Sequence, residues 1–169
     1  MSDSPPDRPR PLQRDDRCED FDCGREPLNE YLRRFAWTNQ QAGAARTYVA
    51  TRGKRIVGYY TLAYASIEHQ AAAPRIRQGL ARHPVPVMLL ARLAVDRGEQ
   101  GQGLGRGLVK DALRRTLQAA DIAGLRAVIV HAKDAAAKAF YEKLGFQPSP
   151  LDELHLMLLL KDIRKTLTG

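Results

Sequence analysis

The chain has 169 residues, 44% hydrophobic and 27% charged, with a formal net charge of +8, which fits one soluble domain and leaves little room for a second. No apolar run approaches the roughly 20 residues that cross a bilayer, and the opening residues alternate proline with charge, so neither a membrane span nor a secretory leader is expected. Two cysteines, Cys18 and Cys23, and the scattered His69, His83, His131 and His155 make neither a disulfide framework nor a metal-ligand cluster, and a cytoplasmic location is expected.

In chain order, the Pro/Arg/Asp-rich residues 1–10 read as a mobile arm, and residues 11–169 as a single domain. Leu28, Tyr31, Leu32 and Phe35 recur at three- and four-residue spacing, which predicts a helix ending near Gly43. Residues 47–51 and 56–64 are rich in β-branched and aromatic side chains and flank Arg52-Gly53-Lys54, the pattern of a hairpin. Residues 68–84 lack strand character and predict a short helix in an exposed crossover bearing Arg75, Arg77 and Arg82. The nearly continuous apolar run 85–95 predicts a central strand covered on both faces. From Leu104 to Ala120 an apolar stripe separates from Arg106, Lys110, Arg114 and Arg115, giving a helix with a basic outer face. Residues 125–131 read as a strand, Asp134 as the N-cap of a helix reaching Leu144, Gly145 as its C′ residue, and residues 154–160 as a last strand. This order predicts a mixed α/β (α+β) domain whose sheet has an antiparallel N-terminal half and a parallel crossover in the middle.

The charge is uneven. Residues 1–30 carry 5 basic and 9 acidic side chains, residues 31–115 carry 15 and 4, and residues 116–169 carry 7 and 6. Of the 27 basic residues 20 are arginine, whose planar fork suits phosphate, so the cationic middle admits either a phosphate-rich partner or solvated helix faces.

Between the central strand and the basic-faced helix lies Gln100-Gly-Gln-Gly-Leu-Gly-Arg-Gly107. Glycines at 101, 103 and 105 leave the unpaired N–H groups of a helix start open to an anion, where the helix dipole adds roughly half a positive charge. No Gly-Lys-Ser/Thr follows and the spacing gives no G-x-G-x-x-G, so neither a P-loop nor a dinucleotide fingerprint is present, and a plain flexible turn is the alternative reading.

Gln100-x-x-Gly103-x-Gly105 after Arg92-Leu-Ala-Val-Asp96 resembles the acetyl-CoA pyrophosphate loop of the GNAT N-acetyltransferases, and Ala137-Lys-Ala-Phe-Tyr141-Glu-Lys-Leu-Gly145-Phe resembles the family's second signature. A closer resemblance spans about residues 20–160. Phe21-Asp-Cys-Gly24, Leu28-Asn29, Tyr31-Leu32, Gly58-Tyr-Tyr-Thr-Leu62 and Leu93-Ala-Val-Asp96 are similar to the GNAT-type toxins of toxin-antitoxin pairs. The resemblance implies the GNAT fold and acetyl-CoA held by Leu93, Ala94, Val95, Gln100, Gly101, Gln102, Gly103, Leu104, Gly105, Arg106, Asp134, Ala137 and Phe140. It further implies aminoacyl-tRNA as acceptor, a ribbon-helix-helix antitoxin, a homodimer, and DNA reached only through an antitoxin complex. Arg33, Arg34, Arg75, Arg77, Arg82 and Arg92 are the candidates for meeting the tRNA phosphates. Asp134 departs from the asparagine of many family members.

Acetyl transfer needs a neutral amine, a polarised carbonyl and help for a departing thiolate. Val95 N–H is the candidate oxyanion donor. Tyr141 sits about 100° around its helix from Phe140, so it is expected to face a cleft while Phe140 and Leu144 face the core, and its hydroxyl is the candidate acid. No Glu or His stands out as a base; Asp96 reads as a turn former and His131 and His155 as structural residues. An α-amine, with a pKa near 8, is about a tenth neutral at pH 7 and dispenses with a strong base. An acetyltransferase for a small amine or a protein N-terminus is the alternative, and a nucleic-acid-binding module with a degenerate cofactor loop a further one.

Overall fold

The computed structural model describes residues 4–168; residues 1–3 of the expected arm and residue 169 lie outside the described residues. In chain order the elements are β1 (Arg10–Pro11), α1 (Glu26–Glu30), a π-helical turn (Tyr31–Phe35), α2 (Ala36–Gln41), β2 (Arg46–Arg52), β3 (Arg55–Ile67), a 3-10 turn (His69–Ala71), α3 (Pro74–Arg77) and β4 (Val85–Val95). A 3-10 turn (Arg97–Glu99), α4 (Leu104–Ala120), β5 (Ala127–His131), α5 (Ala135–Lys143), β6 (Gln147–Pro148), β7 (His155–Leu159) and α6 (Leu160–Thr168) follow. The strands are hydrogen-bonded in the order β1-β2-β3-β4-β5-β7-β6, a mixed sheet in which β4 and β5 are parallel and the β1–β2, β2–β3, β5–β7 and β6–β7 pairs antiparallel. This is the predicted fold class. The chain divides into two compact units, one running to Ala63 and including Arg92–Ala112, the other comprising Tyr64–Ala91 and the chain from Leu113 onward.

In the first unit, β2 and β3 close through a two-residue turn whose Gly53 has φ 65°, left-handed backbone that a side chain would strain. Their inward residues Val49, Ile56 and Tyr59 join Leu12, Phe21, Tyr31, Leu32, Ala36 and Ala94 in one buried cluster. Each large side chain so buried contributes about 1.5–3 kcal/mol. A side chain on Gly58 of β3 would crowd α4, because an added Cβ would stand 3.1 Å from Leu108 and 3.2 Å from Leu104, so the glycine eases the close seating of α4 on the strand. Asp7 N–H donates to Thr51 O at 2.8 Å, and Arg10 and Pro11 pair with Val49 and Tyr48.

The first helix departs from the simple 3.6-residue pattern. Phe35, predicted on the buried stripe, is 49% exposed, and Ala36 takes the inward position at 1%. The cause is the π turn: Ala36 N–H bonds Tyr31 O, so the turn holds one residue more than an α-turn and rotates Phe35 outward.

In the second unit, β5 is buried along Ala127–Val130 and pairs in parallel with β4 at Val87–Leu90 and antiparallel with β7. Ala72, Ala73 and Ile76 of the crossover pack with Val85, Val87, Ala127, Ile129, Met157 and Leu159, so the predicted short helix is anchored by its apolar side and leaves its arginines outward. α6 has no counterpart in the sequence reading: the last strand stops at Leu159, and Leu160, Ile163 and Leu167 then recur at helical spacing, with Ile163 fully buried. Among the described residues no helix is long and apolar enough to cross a membrane.

Candidate active site

The first unit carries Leu93, Ala94, Val95 and the glycine-rich turn. Asp96 N–H donates to Val57 O of β3 at 2.9 Å. Backbone groups alternate sides along a strand, so the N–H groups of Val95 and Leu93 point away from β3. The β5 ladder covers only Val87–Leu90, and residues 91–95 run past it. That geometry suits a pantetheine arm pairing as an extra strand and a Val95 N–H available to a carbonyl oxygen.

Past β4 the chain is tightly organised. The Asp96 carboxylate accepts from Gly98 N at 3.0 Å, bearing out its reading as a turn former, and also from Asp22 N at 3.0 Å. The Gln100 amide donates to Val95 O at 2.9 Å and Cys23 O at 3.1 Å. Arg52 grips the buried Glu99 through both carboxylate oxygens at 2.9 Å, and this pair holds the Glu99 carboxyl below the usual carboxylate range. Then side chains give way to space. Gly101 (φ 78°) and Gly103 (φ 84°) have left-handed backbone, and a Cβ added at either would meet nothing within 4 Å. Gln102 is exposed beside them; Leu104, Gly105 and Arg106 form the first turn of α4. An open, side-chain-free cradle at the start of a 17-residue helix fits a diphosphate.

The second unit carries Asp134, Ala137, Phe140 and Tyr141. Asp134 caps α5 by accepting from Ala137 N at 2.9 Å, as predicted. The burial of Phe140 and Tyr141 is the reverse of the prediction: Tyr141 is 8% exposed, whereas Phe140 is half-buried. The turn at Gly145 folds Phe146 back, its N–H bonding Tyr141 O at 3.2 Å, and the Phe146 ring lies 5.5 Å from that of Tyr141 at 62°. Burial pushes the Tyr141 phenol up to about 12, so it keeps its proton throughout the neutral range. The ring of His131 stacks on that of His155 at 4.1 Å, and burial, with His155 beside it, pushes His131 down.

The arginines are unequally available. Arg33 lies 3.6 Å from Glu26, Arg34 lies 3.5 Å from Glu30, Arg75 is paired with Asp162, and the Arg92 guanidinium sits 3.6 Å over the Tyr31 ring. Arg77 and Arg82 instead line an open cleft of about 480 Å³ with Glu68, His69, Gln70, His83 and Pro84, and neither has an ion-pair partner among the described residues. Sequence reasoning assigned no role to Asp22, Asn29, Arg52 or Glu99, although the Phe21–Gly24 and Leu28-Asn29 motifs had marked two of them.

Residues 43–148 match the acetyltransferase (GNAT) domain family. The chain is 49% identical over 156 residues to a tRNA-acetylating toxin of Mycobacterium tuberculosis (strain ATCC 25618 / H37Rv), covering 92% of this chain and 93% of that protein. Its fold superposes on AtaT complexed with acetyl-methionyl-tRNAfMet with a TM-score of 0.86 at 29% identity, covering 93% of this chain and 96% of that one. A mutant AtaT toxin bound to the C-terminus of the antitoxin AtaR and acetyl-CoA gives 0.79 at 31% identity, covering 95% and 97%.

Proposed function

The chain belongs to the GNAT acetyltransferases, and we propose that within them it is a toxin that N-acetylates the α-amino group of aminoacyl-tRNA, removing the amine that peptide-bond formation requires. The observation that carries this reading is the 49% identity over 92% of the chain to a tRNA-acetylating toxin. The arrangement of this chain's own residues supports it at three points.

Acetyl-CoA, when bound, supplies an acetyl group activated as a thioester. Gly101, Gly103 and the first turn of α4 would hold the diphosphate end, and the outward-facing backbone of Leu93 and Val95 would align the arm and offer Val95 N–H to the carbonyl oxygen. Ala137 and Phe140 line the α5 side, and the Asp134 carboxylate is engaged in capping. Tyr141 Oη presents an O–H at neutral pH. With its phenol near 12 against a reference thiol near 8.5, complete proton transfer from Tyr141 would be uphill by roughly 5 kcal/mol, so its part would be to donate a hydrogen bond at the sulfur. Asp96 and Glu99 are tied up in hydrogen bonds. An acceptor that is partly neutral on its own, as an α-amine is, suits residues that provide no strong base.

Arg77 and Arg82 of the crossover, which have no ion-pair partner among the described residues, meet the acceptor's phosphates first, whereas Arg75 is engaged with Asp162. A ribbon-helix-helix antitoxin neutralises the enzyme, which is cytoplasmic and homodimeric and reaches DNA only within the antitoxin complex. Incubation with labelled acetyl-CoA and bulk charged tRNA tests the activity: label should enter the RNA, be released by mild base, and be absent from uncharged tRNA. Label appearing in free amines or peptides and not in charged RNA would overturn it.

A further inference from the structure

The glycine turn has no side chains of its own to hold it, and glycine has the most backbone freedom to lose on ordering. Gly103 O accepts from Gly107 N–H of α4 at 3.0 Å, and the other hold on its shape comes from the residues leading into it. Those residues, 96–100, are joined to the turn Asp22-Cys23-Gly24 by three hydrogen bonds: Asp22 N–H to Asp96 Oδ1 at 3.0 Å, Arg97 N–H to Asp22 O at 2.9 Å, and Gln100 Nε2–H to Cys23 O at 3.1 Å. Approach is close, since a Cβ on Gly24, whose φ is 92°, would stand 3.2 Å from Arg97 Nε.

The 22–24 turn is organised in its turn by Asn29. This amide is 2% exposed, accepts from Cys23 N–H at 2.9 Å, and donates to Asp22 Oδ1 at 3.0 Å. Asp22 Oδ1 also accepts from Gly24 N–H at 2.9 Å, and these bonds hold the Asp22 carboxyl below the usual range. A neutral amide serves both an N–H donor and a carboxylate, which neither an aspartate nor an apolar residue of that size does.

We propose that Asn29 is a positioning residue for the diphosphate cradle: it fixes the Asp22–Gly24 turn, which fixes residues 96–100 and so sets Gly101–Gly103 in the shape that receives acetyl-CoA before the cofactor arrives. The hydrogen bonds of Asn29 among the described residues go to Cys23, Asp22 and Glu26, so it acts on the cradle through the Asp22–Gly24 turn. Preorganisation of this kind raises affinity by removing the ordering cost from the binding step.

The test uses Asn29→Ala in the full chain, with amide hydrogen exchange on the ligand-free protein and calorimetric binding of acetyl-CoA. Exchange should quicken at residues 97–103 while β5 and β7 keep parental protection, and the dissociation constant should rise about ten-fold. If Asn29→Ala does not fold, Asp96→Asn, at a half-buried site, removes one acceptor from the same chain of bonds and should give the same pattern with a smaller rise. Parental exchange at 97–103, an acetyl-CoA affinity within two-fold of the parent, or exchange rising equally in β5 and β7 would each overturn the proposal.

Discussion

Residues 96–103 and the crossover 68–84 both carry left-handed glycine, Gly101 and Gly103 in the first and Gly79 in the second, yet they are built on opposite plans. In the first, the polar side chains from Asp96 to Gln100, Arg97 included, are tied to neighbours, and Gly101–Gly103 is left open. In the second, the apolar residues Ala72, Ala73 and Ile76 are anchored, while Arg77, Arg82 and His83 project into an open cleft. A region that receives one invariant group gains from a fixed shape. A region that meets a flexible polyanion gains from unpaired charge, and needs only its base to be rigid.

The contrast can be attacked by mutation, beginning where the largest effect is expected. Tyr141→Phe removes one hydroxyl and leaves the ring contacts with Phe146 and Phe140, so the acetyl-transfer rate should fall about a hundred-fold in single-turnover assays at unchanged thermal stability. Because burial raises this phenol to about 12, the parental rate should show no alkaline loss near the ordinary tyrosine value of about 10; a loss centred there would argue against a buried O–H donor.

Next come two glycines that are matched in backbone. Gly103 (φ 84°) and Gly79 (φ 78°) both have open space where a Cβ would stand, so valine at either introduces similar strain. Only Gly103→Val should weaken acetyl-CoA binding, by tens of fold in calorimetry, since only it obstructs the cradle. Equal affinities in the two variants would remove the distinction between the regions.

The smallest effect concerns the Arg52–Glu99 fork. The folded chain holds the Glu99 carboxyl below its ordinary value, so the stabilisation is fully present above about pH 4.3 and is lost as pH falls through the lower folded-state value. Glu99→Gln should therefore melt a few degrees below the parent at pH 7, with the gap narrowing toward pH 3. A gap that is constant with pH would mean that the pair adds nothing electrostatic.

Much of this was legible beforehand because it depends on local chemistry. Continuous apolar runs located β4 and β5, the Arg52-Gly53-Lys54 breaker located the hairpin turn, Asp134 announced its cap, and two separated motifs indicated the cofactor. What escaped depends on partners distant in sequence or on helical register. Nothing near Arg75 announces Asp162, and nothing near Glu99 announces Arg52. The π turn exchanged Phe35 for Ala36 at the core because an inserted residue leaves no compositional mark. Likewise Tyr141 went inward because Phe146, beyond the helix end, folds back onto it.

The claim that cofactor chemistry and acceptor capture rest on different residues is tested most directly by tRNA binding over a salt series. Arg77→Ala with Arg82→Ala should lower affinity and flatten the dependence of log affinity on log salt by about 0.7 to 0.9 per lost phosphate contact. Tyr141→Phe should bind as the parent does, and Arg75→Ala, whose guanidinium already serves Asp162, should leave the slope nearly unchanged. A double variant with the parental slope, or a Tyr141→Phe enzyme that loses tRNA affinity, would contradict the account.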